Sequence, residues 1–252
     1  HEQASWVAYL LTKEETQKVF ERSNKFLPDP EVKTQTANDA DYKSSGYDRG
    51  HLAPAADMSW SEITMQESFY YSNMSPQVPS FNRGIWKKCE ELVRSWANEN
   101  DSIYIVTGPV LKEGLPTIGE NKVSVPNYYY KVILDYCKPS IKGIGFIFPN
   151  TASSEDLEKY TVSIDSVEVY TGIDFYPSLP DEQEEFIEKT TCIDCWHWKK
   201  SKTATNSSNE QRNPNEAAQC IGTTKSGNRC KNKTTAKSGY CKTHAKQKPK
   251  KK

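Results

Sequence analysis

The chain has 252 residues, 33 Lys+Arg against 33 Asp+Glu, and 35% hydrophobic residues with 11% aromatics. Its mean hydropathy of −0.80 and the lack of any apolar run of about 18 residues exclude a membrane-spanning helix, while fourteen Tyr, eight Phe and six Trp exclude wholesale disorder. The zero net charge hides two unlike pieces: His1–Trp198 has 18 basic and 31 acidic residues, net −13, and Lys199–Lys252 has 15 basic and 2 acidic, net +13.

In chain order, Ser5–Thr12 (SWVAYLLT) predicts a first strand. Asp29–Gly46 is polar and turn-rich, a loop leading into YDRGHLAP, and Phe69–Ser72 predicts a short aromatic strand. From Asn82 to Trp96, the residues Ile85, Trp86, Cys89, Leu92, Val93 and Trp96 recur at helical spacing, which predicts one amphipathic helix. Ile103–Thr107, Tyr128–Asp135 and Ile144–Phe148 are rich in β-branched and aromatic residues and predict strands. Ser153 and Ser154 before Glu155 predict a capped helix over Thr151–Lys159; Val162–Tyr170 has ambiguous periodicity, and Asp181–Lys189 predicts a further helix. Lys199–Ala218 has no hydrophobic pattern and reads as a linker. Strands with few interspersed helices indicate the α+β class.

The chemistry concentrates between Asp48 and Arg94. Asp48-Arg49-Gly50-His51 brings together an acid, a guanidinium and an imidazole, and Gly50 would permit a tight turn. His51 suits general-base work near neutral pH, and Arg49 offers a planar cationic fork for a phosphate. On a continuous helix, Asn82, Glu90 and Arg94 would come round to one side, an oxygen ligand, a carboxylate and a cation suited to a hydrated hard metal and a phosphate. Taken singly, Asn82 reads as a helix cap and Glu90/Arg94 as an ordinary ion pair four residues apart.

In combination these residues resemble the DNA/RNA non-specific endonucleases, the ββα-metal nucleases of the endonuclease G type. The resemblance rests on the DRGH box Asp48–His51 in YDRGHLAPAADM, then on Ser72-Asn73-Met74-Ser75-Pro76-Gln77 with Asn82, Trp86 and Glu90. It continues through Thr107–Pro109, Val125–Lys131 and Thr171–Phe175, with Cys89 standing where the family usually has Leu. It implies a ββα-metal fold with a central antiparallel sheet flanked by helices. It also implies a Mg²⁺-dependent hydrolase of DNA, with RNA a further substrate, that leaves 5′-phosphate and 3′-hydroxyl ends; Mn²⁺ would substitute for Mg²⁺. By the same resemblance His51 is the general base, Asn82 the direct metal ligand and Glu90 the holder of metal-bound waters. Arg49 and Arg94 would bind the phosphate, Asn73 would support the site by hydrogen bonds, and Arg22 matches a further phosphate-binding arginine. A homodimer is compatible with the family. The competing reading is a non-catalytic nucleic-acid binder on a nuclease-like scaffold.

The tail carries a separate signal. Cys220, Cys230, Cys241 and His244 form a Cys₃His set, enough for a structural Zn²⁺ in a segment too poor in apolar residues to build a core; a disulfide plus a free thiol is the alternative. Cys192 and Cys195 form a CxxC open to either chemistry. The expected organisation is a nuclease domain over 1–191, a CxxC segment and linker over 192–218, a small zinc-organised module over 219–244 and a basic tail over 245–252. The opening His1–Ser5 shows no leader, so the chain is expected to be trimmed and, given the hazard of a free nuclease, secreted or periplasmic.

Overall fold

The computed structural model describes residues 1–34, 36–137, 141–198, 218–219, 224, 230–234 and 241–247, and the chain divides into two compact units, His1–Lys200 and Ser201–Lys252. The first unit runs β1 (Val7–Thr12), α1 (Asp39–Tyr42), β2 (Asp48–His51), α2 (Glu62–Glu67), β3 (Met74–Gln77) and α3 (Pro79–Phe81). It continues with α4 (Lys87–Glu99), β4 (Ser102–Pro109), β5 (Thr117–Ile118), β6 (Val123–Ser124) and β7 (Tyr128–Asp135), then β8 (Lys142–Pro149), β9 (Thr161–Val162), α5 (Ile164–Thr171) and α6 (Asp181–Lys189).

β1, β4, β7, β8 and β9 pair in that order into one antiparallel sheet. The sequence of β7 shows no apolar–polar alternation because both of its faces are covered. Tyr129 and Ile133 join Trp86, Cys89, Val93 and Trp96 on the α4 side, whereas Tyr130, Val132 and Leu134 join Ile164, Val167 and Ile187 on the α5/α6 side. Helix α4 buries Cys89, Leu92, Val93, Trp96 and Ala97, the stripe that its periodicity predicts. Truncating Trp96 to Ala would cost about 3–5 kcal/mol by the usual scale for a buried aromatic. The expected α+β class, with a central antiparallel sheet and flanking helices, is therefore what the chain adopts. Separately, β2 and β3 pair antiparallel with Asp48 opposite Gln77 and His51 opposite Met74, and the chain passes from β3 into α3 and α4, giving a ββα arrangement.

Four local expectations are corrected. DRGH is a strand, β2, and not part of a loop. Phe69–Ser72 is not a strand: Tyr70 makes only an isolated bridge to Leu27, and Tyr71–Asn73 is a 3₁₀ turn. The helix expected over Asn82–Trp96 is broken, because Gly84 has non-helical angles (φ −106°, ψ −111°) inside a π turn at Asn82–Trp86, so α4 starts only at Lys87. Thr151–Lys159 forms no capped helix; Ser153 Oγ instead accepts from Glu155 N and Tyr160 Oη, and a 3₁₀ turn follows at Leu157–Tyr160.

The CxxC is a disulfide, Cys192–Cys195. The segment after it docks on the core of the first unit: Trp196 and Trp198 lie 4.4 and 5.2 Å from the Trp96 ring, and Trp96 Nε1 donates to His197 O at 2.8 Å. The CxxC segment ahead of the expected linker is thus docked, since an aromatic pair over a buried Trp removes apolar area from water. In the second unit, β10 (Ala218–Gln219) pairs antiparallel with β11 (Lys233–Thr234), and a 3₁₀ segment covers Lys242–Gln247. No described helix is long and apolar enough to cross a membrane.

Candidate active site

The site begins at Gly50, whose place in β2 puts a Cβ there only 2.2 Å from the Gln77 side chain. Gly50 is therefore required by the close approach of Gln77 and not by a turn. Asn73 locks the far end of the strand: its Oδ1 accepts from Ala53 N at 2.9 Å, and its Nδ2 donates to Ala53 O at 2.9 Å and Ser68 O at 2.8 Å. These three buried bonds satisfy most of the amide and tie Asn73 to the segment that follows His51.

His51, 8% exposed, stands edge-on to Phe69 at 4.8 Å and to Phe26 at 6.1 Å. Its Nε2 is buried and has no partner among the described residues. Burial, with the nearby Arg22 charge, pushes its pKa down to about 3. The ring is thus neutral at pH 7 and keeps an accepting nitrogen.

The break at Gly84 separates Asn82 from the α4 stripe, so Asn82, Glu90 and Arg94 do not share one continuous helical side. No helix-capping bond from the Asn82 side chain is found among the described residues. Its Nδ2 instead donates to Asp48 Oδ2 at 2.9 Å, and Arg83 grips both oxygens of Asp48 at 2.8 and 2.6 Å. With Nδ2 engaged, the carbonyl Oδ1 is the atom of Asn82 left for another partner.

Glu90 makes no hydrogen bond or ion pair among the described residues; its expected partner Arg94 is taken by Asp57, whose Oδ1 accepts from Arg94 Nε at 2.6 Å. Burial pushes the Glu90 carboxyl up to about 7, with Lys131 the chief opposing charge and Asp57 adding to the rise. Lys131, fully buried on the α4 face of β7, donates to Thr107 Oγ1 at 3.0 Å and lies 4.3 Å from the Trp86 ring centre. Burial lowers its pKa, and Glu90 works against that.

The remaining arginines differ. Arg22 is exposed, lies over the Phe69 ring at 4.8 Å and bonds Asn24 through Nε, on the side from which its charge acts on His51 and Glu90. Arg49 does not pair with its neighbour Asp48; it forms an ion pair with Asp39 and lies 4.0 Å over Phe26. Asp39, Tyr42, Lys43, Tyr47, Asp48 and Arg49 line a cleft of about 420 Å³.

In the second unit Cys230 Sγ lies 3.9 Å from Cys241 Sγ, which lies 3.4 Å from His244 Nδ1; the three donor atoms fall within 4.8 Å of one another. Cys220 lies outside the described residues.

Sequence reasoning gave no role of their own to Asp57, Lys131, Gln77 and Tyr9. Lys131 had a signal, as the lone charge in YYYKVIL; nothing local marks Asp57 as buried.

The family model for DNA/RNA non-specific endonucleases matches residues 1–182. Human mitochondrial endonuclease G is 37% identical over 159 residues, 57% of this chain and 52% of that protein. Zebrafish (Danio rerio) mitochondrial nuclease EXOG is 37% identical over 175 residues, 63% of this chain and 51% of that protein. Nuclease C1 of Cunninghamella echinulata is 36% identical over 210 residues, covering 75% of this chain and 82% of its own. The chain thus spans about half the length of the first two relatives. Among solved structures, the crystal structure of the EndoG/EndoGI complex aligns with a TM-score of 0.67 and 32% identity, over 72% of this chain and 82% of that one. These relatives correct the expected location. The human, bovine, zebrafish and mouse proteins are named mitochondrial, which points away from a secreted or periplasmic setting, for which the opening residues give no physical ground.

Proposed function

This chain belongs to the DNA/RNA non-specific endonuclease family, and on that premise we propose that it is a metal-dependent nuclease that hydrolyses DNA and RNA without sequence preference. The observation that carries the reading is His51, a neutral imidazole whose buried Nε2 has no partner among the described residues.

The donor set fits Mg²⁺. Asn82 has its Nδ2 committed and its carbonyl oxygen left over, and Glu90 has no counter-ion bonded to it among the described residues. Neutral and anionic oxygens with room for water are what a hard divalent ion prefers. Asn82 would hold the ion directly and Glu90 through its waters, with Mn²⁺ as a substitute. Once bound, the ion would supply Lewis-acid stabilisation of the charge that develops on the phosphate.

His51 Nε2, with the ring proton on Nδ1, takes a proton from water as the water oxygen attacks phosphorus. The bond from phosphorus to the 3′ oxygen breaks, and that oxygen takes a proton from solvent water, leaving a 5′-phosphate and a 3′-hydroxyl. Arg94 and Arg22 neutralise phosphate charge, and an arriving phosphate offsets the Arg22 charge, which after burial is the second cause of the low His51 pKa. Arg49 reaches a phosphate only by exchanging Asp39 for it. Asn73 braces the His51 strand. None of these groups reads base edges, which accounts for low sequence preference.

The second unit would hold Zn²⁺ through Cys230, Cys241 and His244, with Cys220, outside the described residues, as the expected fourth ligand, and would use its lysines to clamp nucleic acid; the nuclease part and this module would fold as separate domains. A homodimer is the assembly that sedimentation would measure. Supercoiled plasmid tests the enzyme reading: nicking with Mg²⁺ that stops with EDTA supports it, and binding without nicking would make the chain a nucleic-acid binder.

A further inference from the structure

Asp57 has no part in the proton transfer or the metal site proposed above, yet it is 1% exposed. Burying a carboxylate is costly unless charge and hydrogen bonds compensate it. Both oxygens of Asp57 are compensated: Oδ1 accepts from Arg94 Nε at 2.6 Å, and Oδ2 accepts from Tyr9 Oη at 2.8 Å. Its amide is held as well, donating to Pro54 O at 2.9 Å. Tyr9 belongs to β1 and Arg94 to α4, so the carboxylate is fixed between two elements of the core and cannot turn freely.

Arg94 is the movable partner. Its side chain is 21% exposed against 1% for Asp57, so its head is reachable from solvent. A guanidinium is a rigid plane with five N–H donors. Asp57 uses the one on Nε, and no hydrogen bond from either Nη is found among the described residues. One side of the plane is thereby tied down while the donors on Nη stay available. A lysine could not do both, since it has a single charged point on a flexible stem.

We propose that Asp57 is a positioning residue: held by Tyr9, its carboxylate fixes the guanidinium plane of Arg94 so that the Nη groups meet the scissile phosphate in one orientation. The inference rests on the reading that Arg94 binds that phosphate. A fixed donor gains over a free one because the ordering has been done before the transition state forms.

The test is a double-mutant cycle of Asp57→Asn and Arg94→Ala, read by kcat and KM on a short oligonucleotide in saturating Mg²⁺. Asp57→Asn should lower kcat about 10- to 100-fold, the usual effect of losing a group that orients another, with KM changed by less than about 3-fold. In the Arg94→Ala background the same substitution should add less than about 2-fold, because its target is gone. Arg94→Lys should resemble Arg94→Ala. Tyr9→Phe keeps the carboxylate and removes one restraint, so it gives the cycle in a milder variant: a smaller kcat loss, again absent from the Arg94→Ala background, with a cooperative melt retained at a lower temperature. An equal loss from Asp57→Asn, or from Tyr9→Phe if Asp57→Asn does not fold, in both backgrounds overturns the inference and leaves the role of Arg94 standing. Full activity of Arg94→Ala overturns both.

Discussion

Asn82 donates its side-chain amide to Asp48 at 2.9 Å, from the π turn before α4 to the β2 strand. The bond decides which end of the amide is left for a metal, and the bidentate grip of Arg83 on Asp48 fixes the acceptor in turn. On the proposed mechanism Asp48 thus orients the metal ligand without carrying out chemistry.

Asn82→Ala should raise the Mg²⁺ concentration needed for half-maximal activity, and Asp48→Ala should do so less strongly, through loss of orientation. Zn²⁺ should not replace Mg²⁺ at these oxygen donors. Metal titrations of plasmid nicking read both effects; unchanged curves in both variants would reduce Asn82 to a structural amide.

Gly50→Ala should destabilise the protein, since its Cβ would stand 2.2 Å from Gln77 atoms. Overpacking of this kind costs about 1–3 kcal/mol. Gln77→Ala in the same chain should restore most of the loss, as urea unfolding would measure. A Gly50→Ala protein as stable as the parent would show that the contact relaxes without cost.

The linkage of His51 to folding has a definite sign. Its pKa is about 3 in the folded chain against 6.5 for the unperturbed ring, so the unfolded chain takes up a proton first as pH falls. Its contribution is complete above pH 6.5 and is lost as pH falls towards 3, at about 1.4 kcal/mol per unit. Glu90 acts oppositely: raised to about 7 from 4.5, it lowers stability as pH rises between those values. His51→Ala should therefore flatten the acid side of the stability curve between pH 6.5 and 3, and identical slopes in parent and variant would contradict the burial of a neutral ring.

The basic tail gives a salt-dependence prediction. If it contacts five phosphates, log affinity should fall against log salt with a slope near −4.5, at about −0.9 per contact. Removing Lys199–Lys252, net +13, should flatten the slope and raise KM while kcat on saturating DNA stays near that of the full chain. Cys230→Ser should abolish a one-to-one zinc content. A truncated chain with the same salt slope would leave the tail without a role in binding.

Periodicity and composition revealed the sheet strands and the buried face of α4, because those follow from repeated apolar positions. They missed the break at Gly84 and the extended form of DRGH, which depend on what packs across the chain. Gln77 is the example: it lies 27 residues from Gly50, and only pairing of β2 with β3 shows why Gly50 has no side chain. The site was legible as residue types, with His51, Asn82 and Glu90 in a recognisable order. Its wiring was not. Arg94 turned to Asp57 and Arg49 to Asp39, choices made by burial and distance that spacing does not encode.

The most direct measurement is single-turnover cleavage of supercoiled plasmid by His51→Ala beside the parent chain, in saturating Mg²⁺, with melting curves run on both. A positioned general base contributes about 10²–10⁴-fold. The expected result is a rate loss in that range with a cooperative melt retained. Cleavage by His51→Ala at the parental rate would place the base elsewhere and contradict the proposed mechanism.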